Sequence, residues 1–420
     1  MSVPTSSINF GSVNTSALAE YFIRRYNLVG RDAEYTKNNP TLGMIPRDTE
    51  KLKQGDSFFE TLKVGSGWSG SPDWVEGNKN HTPSNKVRWQ VSDPFATYAR
   101  IPFDTLALNR SPLGTLLDIK GAETDDVRDN MLRQCEFELW QDGSGARGKI
   151  SAVSGTTTFT MTLTGTNDAF QFEYGQILSA NTAADGSGTA RANRYKVTDF
   201  DPINNKVVGT RTVDATDPFQ VNDFVHVVGS ANKYMPGIPT FIPASAPSDT
   251  IYGVARTANP ALSGWRFSFK NSISETIQRA FTKMGQWVNQ AAGKFVVVLS
   301  PLDWLLLSME RESRVIPDPG AFQKWGTSGL GVVTPFGMIT CIAIPSVADG
   351  RGYIIDWTSW RLYTLKNLPH VVDEDGLTFL RGGISTPDGY QHGDLIALQM
   401  RMWKVLLCLK PMSNATFPTS

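Results

Sequence analysis

The chain has few of the residues that usually announce chemistry. Its 420 residues include three cysteines, Cys135, Cys341 and Cys408, which are far apart, the last two in apolar runs. That pattern argues against a disulfide framework or a zinc site and predicts buried free thiols in a reducing compartment. The four histidines, His81, His226, His370 and His392, show no metal-ligand spacing to one another. There is no Gly-x-Ser-x-Gly elbow. A basic stretch followed by an apolar run is missing at the N-terminus, so no signal peptide is expected. The longest apolar runs, such as 295–299 and 304–307, are too short to cross a bilayer. A soluble protein made in a cytoplasm is expected, and the sequons at Asn14, Asn80, Asn109 and Asn414 read as chance matches. Excess charge of either sign is lacking too, with Lys plus Arg 40 and Asp plus Glu 40. A tight general binder of duplex DNA would carry a basic surplus. A neutral balance instead removes long-range self-repulsion and suits packing against further copies.

Apolar residues make up 40% of the chain, enough to bury a core and exclude disorder, and the length fits two to three domains. The 11 tryptophans fill cores as readily as interfaces. Near the N-terminus, Leu18, Tyr21, Phe22 and Tyr26 share one helical face, with Glu20 and Arg24 on another. Prolines 40 and 46 break any continuation. So short a helix buries little alone and needs a surface to dock on, either the rest of the chain or a neighbouring copy.

Residues 56–64 read as a strand, and 86–91 alternate with period two, placing Val87, Trp89 and Val91 on one face. Between them, residues 65–85 form a Gly/Pro/Asn-rich tip holding Trp68 and Trp74. Such a long hairpin is marginal unless a partner surface covers it. Residues 118–141 form the best helix, with Thr124 as a candidate cap and Asp125 and Asp126 in its first turn. Period-two runs with turn clusters from 149 to about 235 predict a compact all-β module, a small barrel or sandwich. The last third alternates: helix 272–292, buried strand 294–300, a helix opened by Pro301, a glycine-punctuated loop 320–331, and strands 338–344 and 353–365. The terminal run 394–409 suits a very long strand, with helix open as the alternative by length.

Two motifs come close to chemistry. Residues 143–150, GSGARGKI, approach a phosphate-binding loop, but Ile150 replaces the hydroxyl that would ligate magnesium, and a helix precedes where a strand should. The acidic run 373–376 lacks calcium-loop spacing and reads as a solvated turn. No catalytic residue, cofactor site or metal site is expected, and an enzyme is the minority reading.

The order of parts carries more than any motif. An arm with a short helix, a long Gly-rich hairpin (56–104), an amphipathic helix (118–141), a β insert, an α/β unit (272–311) and a terminal strand (395–409) follow one another. This resembles the tailed-bacteriophage major capsid protein of the Hong Kong ninety-seven type, and the stretch 294–307, KFVVVLSPLDWLLL, is the most family-like. The resemblance implies an α+β capsid fold. Its parts would be an N-terminal arm (1–55), an extended loop (56–104), a peripheral domain with the spine helix (105–148), an inserted β-barrel or sandwich domain (149–235), a connection (236–271), an axial domain (272–380) and a C-terminal strand (381–420). It implies a virion protein that self-assembles as hexamers and pentamers into an icosahedral shell around double-stranded DNA. Phe58, Phe59, Trp68, Trp74, Trp89, Tyr21 and Phe22 would be candidates for intersubunit contact, and Arg24, Arg25, Arg128 and Arg133 for weak non-specific contact with DNA. A portal and an optional decoration protein would be further partners, and no membrane.

Two departures stand out. Arm-like sequence follows Met1 almost at once, so a separate scaffolding protein is expected rather than a cleaved leader. Lys63, Lys79 and Lys86 are available for a crosslink, but no matching Asn and Glu stand out, so none is expected. The alternatives are an encapsulin-like shell around protein cargo and a monomeric hydrolase or carbohydrate-binding protein built on the β module. A phage tail or decoration protein would lack the central α/β unit.

Overall fold

A computed structural model describes residues 39–420, apart from 50–57, 64–70, 80–85, 92–94, 105–112, 166–167, 214–216, 289–293, 311–314, 319–328, 366–367, 372–378, 382–383, 387–388 and 392–394. Tyr21, Phe22, Arg24, Arg25 and Trp68 lie outside the described residues, as do His81, His392 and the acidic run 373–376.

The terminal run is a strand, Leu395–Cys408. One edge pairs antiparallel with Phe95–Asp104 over ten positions, and the other carries Trp360–Thr364, His370–Val371 and Phe379–Arg381. Strand pairing on both edges decides against the helical alternative. Burial alternates at Leu398, Met400 and Met402 and becomes continuous from Lys404 to Cys408, the pattern of a strand covered first on one face and then on both.

A second sheet has seven strands, in the order Trp265–Arg266, Ala415–Pro418, Arg351–Asp356, Phe295–Leu299, Gly337–Ala343, Gly329–Thr334 and Val315–Asp318. All five residues of Phe295–Leu299 are buried. The helix Ile273–Val288 lays Ile273, Ile277, Phe281 and Met284 on this sheet. In the next helix, Pro301–Met309, the Ser300 hydroxyl accepts from the Asp303 amide at 3.1 Å and caps the start. The expected single strand 353–365 is two strands in different sheets, parted by a turn at Trp357–Ser359. Asn414 fastens this crossing. Its Oδ1 accepts from the Asp356 amide and the Trp360 indole, and its Nδ2 donates to the Ser359 hydroxyl and the Lys410 carbonyl. Fully buried and fully bonded, Asn414 is closed to glycosylation.

The long helix runs Leu113–Leu139, so it starts earlier than its charge pattern suggests. Thr124 is not its cap but a buried residue within it. Six strands between Ala146 and Val227 close into a barrel in which the first and last strands pair. Phe159 stacks on Tyr195 in its core, and Phe219 meets both rings edge-on. The glycines of GSGARGKI shape its neck. Gly143 and Gly145 have φ of +86° and +79°, and a Cβ on Gly145 would strike the Ser230 carbonyl on the returning chain. Gly237, also on the return, donates its amide to the Gln141 carbonyl at 3.0 Å. A Cβ there would collide with the last carbonyls of the long helix.

Candidate functional site

The antiparallel hairpin pairs Phe58–Lys63 with Lys86–Val91. Its alternation gives it two unlike faces. Inward, Trp89 meets Phe241 and Tyr252 edge-on at 5.8 and 5.7 Å, and Phe58 packs on Tyr363 at 4.9 Å. Leu62 and Val91 complete this contact. Phe58 and Trp89 therefore anchor the hairpin to its own subunit, and neither keeps the free surface expected of an intersubunit contact. Outward, Phe59 is 53% exposed beneath the Arg88 guanidinium.

The tip contains a six-residue helix, Trp74–Lys79, where only irregular loop was expected. Asp73 accepts from the Val75 amide at 2.8 Å and starts it, and Glu76 pairs with Lys79 at 2.8 Å. Trp74 is 80% exposed and Val75 more than half exposed. So short a helix has little stability of its own, and here its aromatic anchor faces solvent.

Against the terminal strand, the long helix carries a set of buried charges. Lys404 of the terminal strand lies 2.8 Å from Glu138, with both side chains sealed from solvent. Burial opposes the Lys404 ammonium, yet Cys135 and Glu138 beside it hold it above the ordinary lysine value. Burial also pushes the Cys135 thiol up to about 11. Glu136 accepts from the amides of Thr41 and Leu42, both at 3.0 Å, and so fastens the short helix Pro40–Met44 to the long one. The Trp140 indole adds a bond to the Thr41 hydroxyl. Burial raises the Glu136 carboxyl to about 7.

The two arginines of the long helix part ways. Arg128 is buried, so it has no face to offer a nucleic acid. Arg133 is half exposed; it donates to the Phe170 carbonyl at 3.0 Å, sits over the Phe137 ring and lies 3.9 Å from Glu173. It ties the barrel to the helix, as does the bond from the Gln141 side chain, just past the helix end, to Gln171; Gln134 bonds Tyr234 on the chain returning from the barrel.

One surface was not anticipated from sequence. On the helix Pro301–Met309, Leu302, Leu305, Leu306 and Met309 recur at helical spacing and face outward. The spacing was there to be read, but an apolar stripe by itself looks like a core face.

No protein-family model matches the chain, and neither does any curated protein. Solved structures do. The capsid asymmetric unit of cyanophage A-1(L) superposes with a TM-score of 0.52 at 10% identity, over 91% of this chain and 92% of that one. The capsid of an empty GTA particle aligns with a TM-score of 0.43 at 9% identity, over 99% and 100%. The cyanophage capsid carries the assignment: the arrangement of hairpin, long helix, two sheets and terminal strand is a phage capsid fold.

Proposed function

We propose that this chain is a tailed-bacteriophage major capsid protein, assembling as hexamers and pentamers into an icosahedral shell that encloses double-stranded DNA. The observation that carries this reading is the hairpin. On a phage capsid fold covering nearly the whole chain, one hairpin face is anchored by Trp89 while the tip holds Trp74 out to solvent. A second copy beneath that tip would supply the cover it lacks. Phe59 and Trp74 are the described residues we assign to intersubunit contact, and Trp68 would join them. The protein's work is structural rather than catalytic, performed in the virion after synthesis in the host cytoplasm. A separate scaffolding protein and a portal would assist assembly. DNA contact, weak and non-specific, would fall to Arg24.

Electron microscopy of the purified full-length chain tests this. Closed shells or capsomers support it. A monodisperse 46.2 kDa species at every concentration tried, with or without the other proteins of its particle, would refute it. Shells filled with protein and never with DNA would favour an encapsulin-like compartment.

A further inference from the structure

An apolar groove of about 570 Å³ opens where the long helix, the helix Pro301–Met309 and the barrel meet. Phe137, Phe170, Leu302 and Leu305 line it, with Arg133, Glu136 and Asp349 at its polar edge. Phe170, Leu302 and Leu305 are each about half exposed, so this is apolar surface open to water. Asn39 and Pro40 form part of the same wall. The preceding residues, 1–38, therefore join the chain at the groove itself.

We infer that the groove is the seat of the segment 16–26 of its own chain. Leu18, Tyr21, Phe22 and Tyr26 share one helical face, an apolar match for the apolar lining of the groove, and that face also carries Arg25. An eleven-residue helix is about 16 Å long. The twelve residues 27–38 reach at most about 40 Å, so the segment is tethered within easy range and meets the groove at high effective concentration. Tyr21 and Phe22 are thereby assigned to their own subunit rather than to a neighbour. Arg25 turns inward, leaving Arg24 on the outer face. This does not depend on shell formation, since it concerns one chain.

The test is a pair of cysteines, Phe22→Cys with Leu305→Cys, oxidised mildly in dilute, unassembled full-length chain; the native cysteines are all buried. A disulfide at monomer mass is expected, in several-fold excess over a control pairing Phe22→Cys with Ile203→Cys, a barrel-tip position 93% exposed. A yield no higher than the control overturns the proposal. So does a crosslink at dimer mass, which would give the groove to another copy's arm. Hydroxyl-radical footprinting supplies a second reading. Tyr21→Asp with Phe22→Asp should raise labelling of Leu302 and Leu305 several-fold and leave Ile203 unchanged. Equal labelling at Leu302 and Leu305 would count against the docked segment.

Discussion

The Lys404 ammonium and the Glu138 carboxylate meet at 2.8 Å inside the protein, 266 residues apart in the chain, and join the terminal strand to the long helix. Neither has solvent to fall back on. Removing one partner strands the other charge, at a cost of about 3–5 kcal/mol. Lys404→Met should lower the subunit's unfolding free energy by that amount in urea titration. Adding Glu138→Leu should restore much of the loss, because the cost lies in the orphaned carboxylate. A single variant within about 1 kcal/mol of the parent, the range of a surface pair, would contradict this.

Glu136 makes docking of the segment 40–44 sensitive to pH. Burial raises its carboxyl from 4.5 to about 7, so across that window the folded chain holds a proton that the unfolded chain has released. Stability therefore falls as pH rises from 4.5 towards 7 and is greater on the acid side, as far as this group is concerned. Protection of the Thr41 and Leu42 amides against hydrogen exchange should fall from pH 5 to pH 8. Glu136→Gln should flatten that slope. Protection that rises with pH would reverse the assignment.

The barrel neck separates two costs of replacing glycine. Gly229 has φ of +85° with open space around its missing Cβ, whereas Gly145 combines a positive φ with a backbone carbonyl in the way. Gly229→Ala should cost about 1–2 kcal/mol from the left-handed backbone alone. Gly145→Ala should cost clearly more, read as the larger fall in melting temperature. Equal losses would mean that the returning chain moves aside.

Assembly and folding should respond to different tryptophans. Trp89→Ala removes a fully buried aromatic and should destabilise the isolated subunit by about 3–5 kcal/mol. Trp74→Ala should leave subunit unfolding within about 0.5 kcal/mol, as for other exposed positions, while reducing the yield of shells seen by light scattering and microscopy. Undiminished shell yield would remove Trp74 from the contact.

Local signals made much of this legible. Ser300-Pro301 marks the start of its helix because cap and first-turn proline are nearest-neighbour chemistry. The run Phe295–Leu299 is a strand buried on both sides, as its branched residues imply. Alternation in 86–91 identified the hairpin, yet it could not say that Trp89 faces its own subunit, because an aromatic that needs cover does not specify whose. Thr124 misled because a capping residue is recognised by type, and the helix beyond it continues under tertiary packing. Glu136, Glu138 and Lys404 were invisible for a plainer reason. A charged residue reads as solvent-facing until its partner, distant in the chain, is placed beside it.

The barrel begins and ends on two strands that lie side by side, and the chain passes in and out through a single glycine-lined gap. Excising it would leave two stubs close enough to splice with a short linker. That makes the module an interchangeable cassette, open to grafting of foreign sequence without redrawing the sheets that carry the rest of the protein.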